Sequence, residues 1–202
     1  MRAVAADIQS SGAVAAAPAW QLPDRGTVGM MSFIIAESAI FTIFVVAYLF
    51  YLGKSVTGPT PREVLEVPVF STICLLSSSL TIHLAAKRLE RNESNTFLAL
   101  WLITIALGAT FMFGTAQEWH RLIYEHGLTI STNLFGTTYY SLVGLHAFHV
   151  TLGLVMLTII LLLCVATGAR TQSARVEVLS LYWHFVDVVW IVVFTVVYVI
   201  GR

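Results

Sequence analysis

Five stretches of this chain are each long and oily enough to cross a bilayer, and no other feature limits the fold so tightly. A helix needs about 20 mostly apolar residues to span the hydrocarbon core. The windows run from about Val28 to Leu52, Pro68 to Ala86, Phe97 to Gln117, Thr138 to Thr167 and Leu179 to Ile200. The second and third contain no charged residue. Glu37 is the only charge of the first, and Asp187 interrupts the fifth. Pro68 suits a first helical turn, where its missing N–H does no harm. The fourth window is long enough to tilt or protrude.

The predicted fold class is therefore all-α: an integral membrane bundle of five transmembrane helices over residues 28–202, preceded by a tail over 1–27. Composition agrees. Only 11% of residues are charged, against about 25% in a soluble domain. Net charge is zero, and no basic patch suggests a nucleic-acid partner. Cys74 and Cys164 both lie in apolar runs and read as buried free thiols, not as a disulfide or zinc framework. The tail lacks the continuous apolar core of a signal peptide, being broken by Asp7, Gln9, Ser10 and Ser11. Trp20 marks its expected contact with the membrane interface.

Lys and Arg set the expected orientation. The tail and the second and fourth connections hold Arg2, Arg25, Lys87, Arg88, Arg91, Arg170 and Arg175. The opposite side holds Lys54, Arg62, Arg121 and Arg202. This bias puts the N-terminus inside and the C-terminus outside.

The polar residues inside the spans carry the functional question. An ionised acid at the centre of a membrane helix costs roughly 2.5–3.5 kcal/mol on insertion scales. Glu37 and Asp187 fall at similar depths on two parallel spans. One reading makes each a hydrogen-bonded lock on helix packing. The other makes them proton-accessible or lipid-linked sites. Histidines are the natural partners. His146 and His149 share a face of the fourth span, and Glu37 is expected to approach one of them. His184 and Asp187 are three residues apart and are expected to form a structural pair.

No two helices present a well-spaced histidine pair for haem, and the His-Glu-x-x-His pattern of zinc proteases is absent. Ser77–Ser79 read as packing residues. So do Trp183 and Trp190, seven residues apart, and the small residues Gly144, Ala147 and Thr151. Trp101, Tyr139 and Tyr140 are expected at the interfaces.

Several of these segments resemble subunit III of the haem–copper terminal oxidases. "YWHFVDVVWIVVFTVVY" is similar to that family's last helix. "YYSLVGLHAFHVTLG" is similar to its paired-histidine helix. "AQEWHRL" resembles a glutamate-bearing helix end, with Glu118 followed by Trp119 where the family has Tyr. "IIAESAIFTIFVVAYLFY" resembles the helix with a membrane-embedded, carbodiimide-reactive carboxylate, a role that falls on Glu37. Five spans match the family's short bacterial form.

The resemblance implies a noncatalytic subunit of a proton-pumping aerobic oxidase in the bacterial inner membrane. The complex is the enzyme, and this chain holds no catalytic centre. Haem and copper are expected in partner subunits and none in this chain. Bound phospholipid is expected here, with support of proton uptake. The implied partners are subunit I directly, subunit II, and a small subunit IV or supercomplex members. A cytochrome c oxidase is the favoured reading and a quinol oxidase the alternative. From another class, an independent transporter with a Glu/His proton relay also fits intramembrane acids, although no inverted repeat is visible.

Overall fold

The computed structural model describes residues 25–55 and 58–201. The tail before Arg25, with Trp20, lies outside the described residues. Among these residues six α-helices occur: α1 (Arg25–Tyr51), α2 (Pro61–Val64), α3 (Val69–Glu90), α4 (Ser94–Tyr124), α5 (Leu134–Thr167) and α6 (Ser173–Phe194). A 3-10 turn, Ala169–Gln172, precedes α6, and a π-helical segment, Thr195–Ile200, continues it. Among the described residues there is no strand. Five helices are long and apolar enough to cross a membrane, α6 together with its π segment counting as one. The chain is an all-α multi-span membrane protein.

Local chemistry sets the helix ends. α1 stops before Gly53, whose φ of 73° lies in the left-handed region that glycine adopts without strain. In the loop that follows, Pro61 opens the single turn α2, and the Thr60 N–H donates to Glu63 Oε2 at 2.9 Å. That bond to the backbone N–H holds the exposed Glu63 carboxyl below its usual range. α3 ends with Lys87 and Arg88 in its last turn, where cations favour the helix dipole. Asn92 takes φ 64° and turns the chain into α4. The Asn133 side chain accepts the Gly136 N–H at 2.8 Å and caps α5.

The spans are longer than the apolar windows suggest. α4 runs seven residues past Gln117, and α5 begins four before Thr138. At 31 and 34 residues they measure about 46 and 51 Å, well beyond a hydrocarbon core of about 30 Å. Polar residues such as Glu118 and Arg121 are carried on helix outside the oily window, because backbone hydrogen bonding continues past the end of the apolar run.

α3 and α4 form the most extensively packed antiparallel pair. α5 and α6 join them, and α1 packs on α5 and α6. Tryptophans fill the centre. Trp183 and Trp190 of α6 and Trp101 of α4 are all buried. Each also donates its indole N–H across a helix interface. Trp183 reaches Ser78 Oγ at 2.8 Å, Trp190 reaches Thr72 Oγ1 at 3.2 Å, and Trp101 reaches the Leu157 carbonyl at 2.9 Å. Trp101 and Tyr139 are thus core residues, not the interfacial anchors that their positions near span ends suggest. Their polar atoms are satisfied from neighbouring helices, so no headgroup is needed. Close approach is set by Gly153 more than by Gly144. A Cβ at Gly153 would stand 2.8 Å from the Trp183 ring, while one at Gly144 would meet Trp119 at an ordinary 3.5 Å.

α1 differs from the rest. Only Phe41 and Tyr48 of its 27 residues are buried. Most of its surface is apolar and faces outward, as suits lipid or another protein.

Candidate functional site

The one acid of α1 points at the bundle. Glu37 Oε2 lies 3.2 Å from His149 Nε2 on α5. The His149 side chain is 5% exposed and that of Glu37 17%. Phe41, one turn beyond Glu37, tilts over the imidazole with ring centroids 5.1 Å apart. Tyr182 of α6 donates to the His149 carbonyl at 2.9 Å. Three helices therefore meet at this histidine.

The second ring nitrogen fixes the protonation logic. His149 Nδ1 lies 2.8 Å from the Leu145 carbonyl. A carbonyl only accepts, so Nδ1 carries a hydrogen. Nε2 is then either an acceptor from a Glu37 carboxylic acid or a donor to a Glu37 carboxylate. Both arrangements contain the same number of protons and no net charge. The pair thus holds one movable proton while presenting a neutral face to its apolar surroundings.

His146 behaves differently. It is fully buried, and neither ring nitrogen has a hydrogen-bond partner. It stacks on Trp190 with centroids 5.0 Å apart and meets Phe111 edge-on. Of the two candidate partners, Glu37 meets His149 and not His146. One turn of helix separates them, and the α1 contact lies over the second.

The expected pairing of His184 with Asp187 is not the geometry found. His184 Nδ1 lies 2.6 Å from the Ser79 hydroxyl of α3. Asp187 is 3% exposed, and neither carboxyl oxygen has a hydrogen bond. Residues three apart share a helix face but aim at different neighbours. Here Ser79 takes the imidazole. The repeated serines at 77–79 gave no sign of which one would face α6.

A third polar cluster closes the other end of the bundle. Both oxygens of Glu118 accept from the Tyr198 hydroxyl at 2.9 Å. Tyr139 follows at 3.4 Å from Tyr198, and Arg121, one turn on, pairs with Glu66. Tyr198 escaped the sequence reading. It sits in the π-helical turn Thr195–Ile200, and that extra residue per turn is invisible to a 3.6-residue pattern.

Among the described residues, no group of three or more His, Cys, Asp and Glu is placed to hold a metal ion. The molecule is a multi-span membrane bundle with paired polar groups at depth.

Comparison with known proteins gives the family. The model of the family "Cytochrome c oxidase subunit III" matches residues 2–202, and the chain belongs to that family. It is 41% identical over 184 residues to cytochrome c oxidase subunit 3 of Synechocystis sp., covering 88% of this chain and 77% of the relative. It is 34% identical to cytochrome c oxidase subunit 3 of Alkalihalophilus pseudofirmus, over 89% of this chain and 92% of the relative. It is also 32% identical to the cytochrome bo(3) ubiquinol oxidase subunit 3 of Pseudomonas aeruginosa, over 86% of this chain and 84% of the relative. As a subunit III, the chain works in a complex with other oxidase subunits, as a multi-pass protein of the cell membrane.

Proposed function

We propose that this chain is the noncatalytic third subunit of a proton-pumping cytochrome c oxidase, which stabilises subunit I, binds phospholipid and supports proton uptake. Haem and copper belong to its partners, subunits I and II. The Lys87–Arg91 cluster favours an N-terminus on the inner side.

The observation that carries the reading is the Glu37–His149 contact at 3.2 Å on a helix that is otherwise little buried. A helix that exposes an apolar surface and aims its one acid inward fits a wall between the bundle and lipid or a neighbouring subunit. A pair that shifts one proton between its two members keeps its net charge at zero, which suits a wall that borders hydrocarbon. Relatives with both donor types match the chain, and the cytochrome c type of Synechocystis sp. at 41% stands above the quinol type at 32%. The structure bears equally on either donor, since the electron-entry site belongs to other subunits.

The test uses the purified oxidase with and without this chain. Sustained turnover and proton release should fall in the depleted enzyme, and phospholipid should co-purify with the complete one. Reduced cytochrome c should serve as donor. Equal turnover and proton yield in both preparations would overturn the supporting role, and turnover on quinol alone would overturn the donor assignment.

A further inference from the structure

At the end of the bundle where α1 stops, a cavity of about 350 Å³ lies between α1, the first turn of α5 and the end of the π segment. Tyr48, Ser55, Arg62, Phe135 and Ile200 are among the residues that line it. Sites for small ligands run from roughly 300 to 1,000 Å³. The charges around the cavity do not cancel. Of the acids in the neighbouring segment, Glu63 holds the Thr60 N–H and Glu66 pairs with Arg121. Arg62 lines the cavity, and Lys54 sits near its mouth with Nζ 3.4 Å over the Phe50 ring. Neither cation has a carboxylate partner among the described residues.

The uncharged polar side chains of the lining point the same way. Ser55 Oγ accepts the Phe135 N–H at 3.0 Å, which leaves its own hydrogen to donate. Tyr48 is 1% exposed, and its hydroxyl has no hydrogen-bond partner. A buried hydroxyl without an acceptor is rare in folded proteins. Arg62, Lys54, Ser55 and Tyr48 all offer hydrogens, and that set selects an anion rich in acceptor oxygens. The first turn of α5 adds the favourable end of a helix dipole, and the two cations offset the opposite ends of α1 and the π segment. Beside the cavity the surface turns apolar, with Val46, Leu49 and Phe50 of α1 and Val199 of the π segment exposed. A free phosphate gains nothing from that surface, whereas an acyl chain does.

We propose that this cavity holds the headgroup of an anionic phospholipid, its phosphate at Arg62 and Lys54 and its acyl chains along the exposed faces of α1 and the π segment. The depth fits. Phe50 and Tyr51 end α1 at the level where aromatic side chains meet headgroups. Lys54 lays its stem on the Phe50 ring and carries its charge beyond the oily run, as long basic side chains do at an interface. Glu37 and His149 hold each other deeper in the same wall and take no part. The inference rests on the proposal that the chain binds phospholipid, and it names one site and one charge class for it.

Photolabelling of the purified, detergent-washed complex tests it, with phosphatidylglycerol that carries a diazirine in one acyl chain. Mass spectrometry of the digested chain should place the label on the last turns of α1 or on the π segment. Arg62→Gln and Lys54→Gln should each weaken labelling there by roughly fivefold, the scale of one basic residue near an anionic lipid. Both side chains are exposed, so the variants should assemble. Arg91→Gln makes the same charge change at the other end of the bundle and should leave this labelling intact. The matching phosphatidylcholine probe should label the site less, and excess inorganic phosphate should not displace the lipid. Equal labelling by the two lipids, unchanged labelling in both variants, displacement by inorganic phosphate, or no label at this end overturns the site. A complete complex that co-purifies with no phospholipid at all overturns the broader lipid-binding role. One that carries phospholipid but labels elsewhere overturns this site alone.

Discussion

Trp183 occupies the space that a side chain on Gly153 would need: a Cβ there would lie 2.8 Å from the indole. A Cβ at Gly108 on α4 would meet the same ring at 2.9 Å. One tryptophan of α6 is therefore seated in two glycine notches, on α5 and α4, with its N–H on Ser78 of α3. The ring is rigid and fully buried, so an added methyl has to move a helix. Gly153→Ala should lower stability by about 1–3 kcal/mol, the usual cost of overpacking. Thermal unfolding of the purified complex checks this. An unchanged midpoint would show that the interface yields.

Glu37 and His149 share one proton, and that arrangement separates two substitutions. Glu37→Gln keeps an N–H that donates to His149 Nε2, so assembly should persist. The variant has no carboxyl at this position and should lose carbodiimide labelling. Glu37→Ala removes the partner altogether and should cost about 1–3 kcal/mol, as for other unsatisfied buried polar groups. Mass spectrometry of the labelled chain together with thermal stability reads both. Labelling that persists at full yield in Glu37→Gln rules out Glu37 as the reactive acid.

The paired histidines of α5 should respond in opposite ways to the same replacement. His146 packs as an aromatic ring with idle nitrogens, so His146→Phe should be neutral or stabilising. His149→Phe removes the contact to Glu37 and the bond to the Leu145 carbonyl, and should destabilise by about 1–3 kcal/mol. A stability comparison of the two variants in one preparation is decisive. Equal losses at both sites would mean that His146 has a polar role after all.

Asp187 tests shape against charge. With no hydrogen bond to lose, Asp187→Asn preserves volume and should assemble normally. Asp187→Ala opens a void beside α3 and should reduce the yield of assembled complex. A native gel of solubilised membranes shows both. Failure of the asparagine variant alone would indicate that the acidic proton itself holds the helix in place.

The number and order of spans were legible because each crossing needs an unbroken apolar run, and Glu37 and Asp187 stood out by contrast. Matching depths link Glu37 with Asp187, a property that helix rise makes readable, and the span-four histidines follow as the polar partners an intramembrane acid needs. Which histidine of the two was not readable, since His146 and His149 lie on adjoining parts of one face and the rotation of α1 decides between them. The partner of His184 was hidden for a similar reason: three consecutive serines offer every direction around α3. The Glu118–Tyr198 contact was out of reach, because it depends on a π turn that leaves no mark on the apolar pattern.

The central claim is that this chain is one wall of an oxygen-reducing complex. Affinity purification through a tag on this chain, from mildly solubilised membranes, tests it most directly. The expected result is a multi-subunit preparation with a haem optical spectrum and oxygen consumption sensitive to haem–copper oxidase inhibitors. Recovery of the chain alone or as a homo-oligomer, free of haem and carrying its own transport activity, would contradict it.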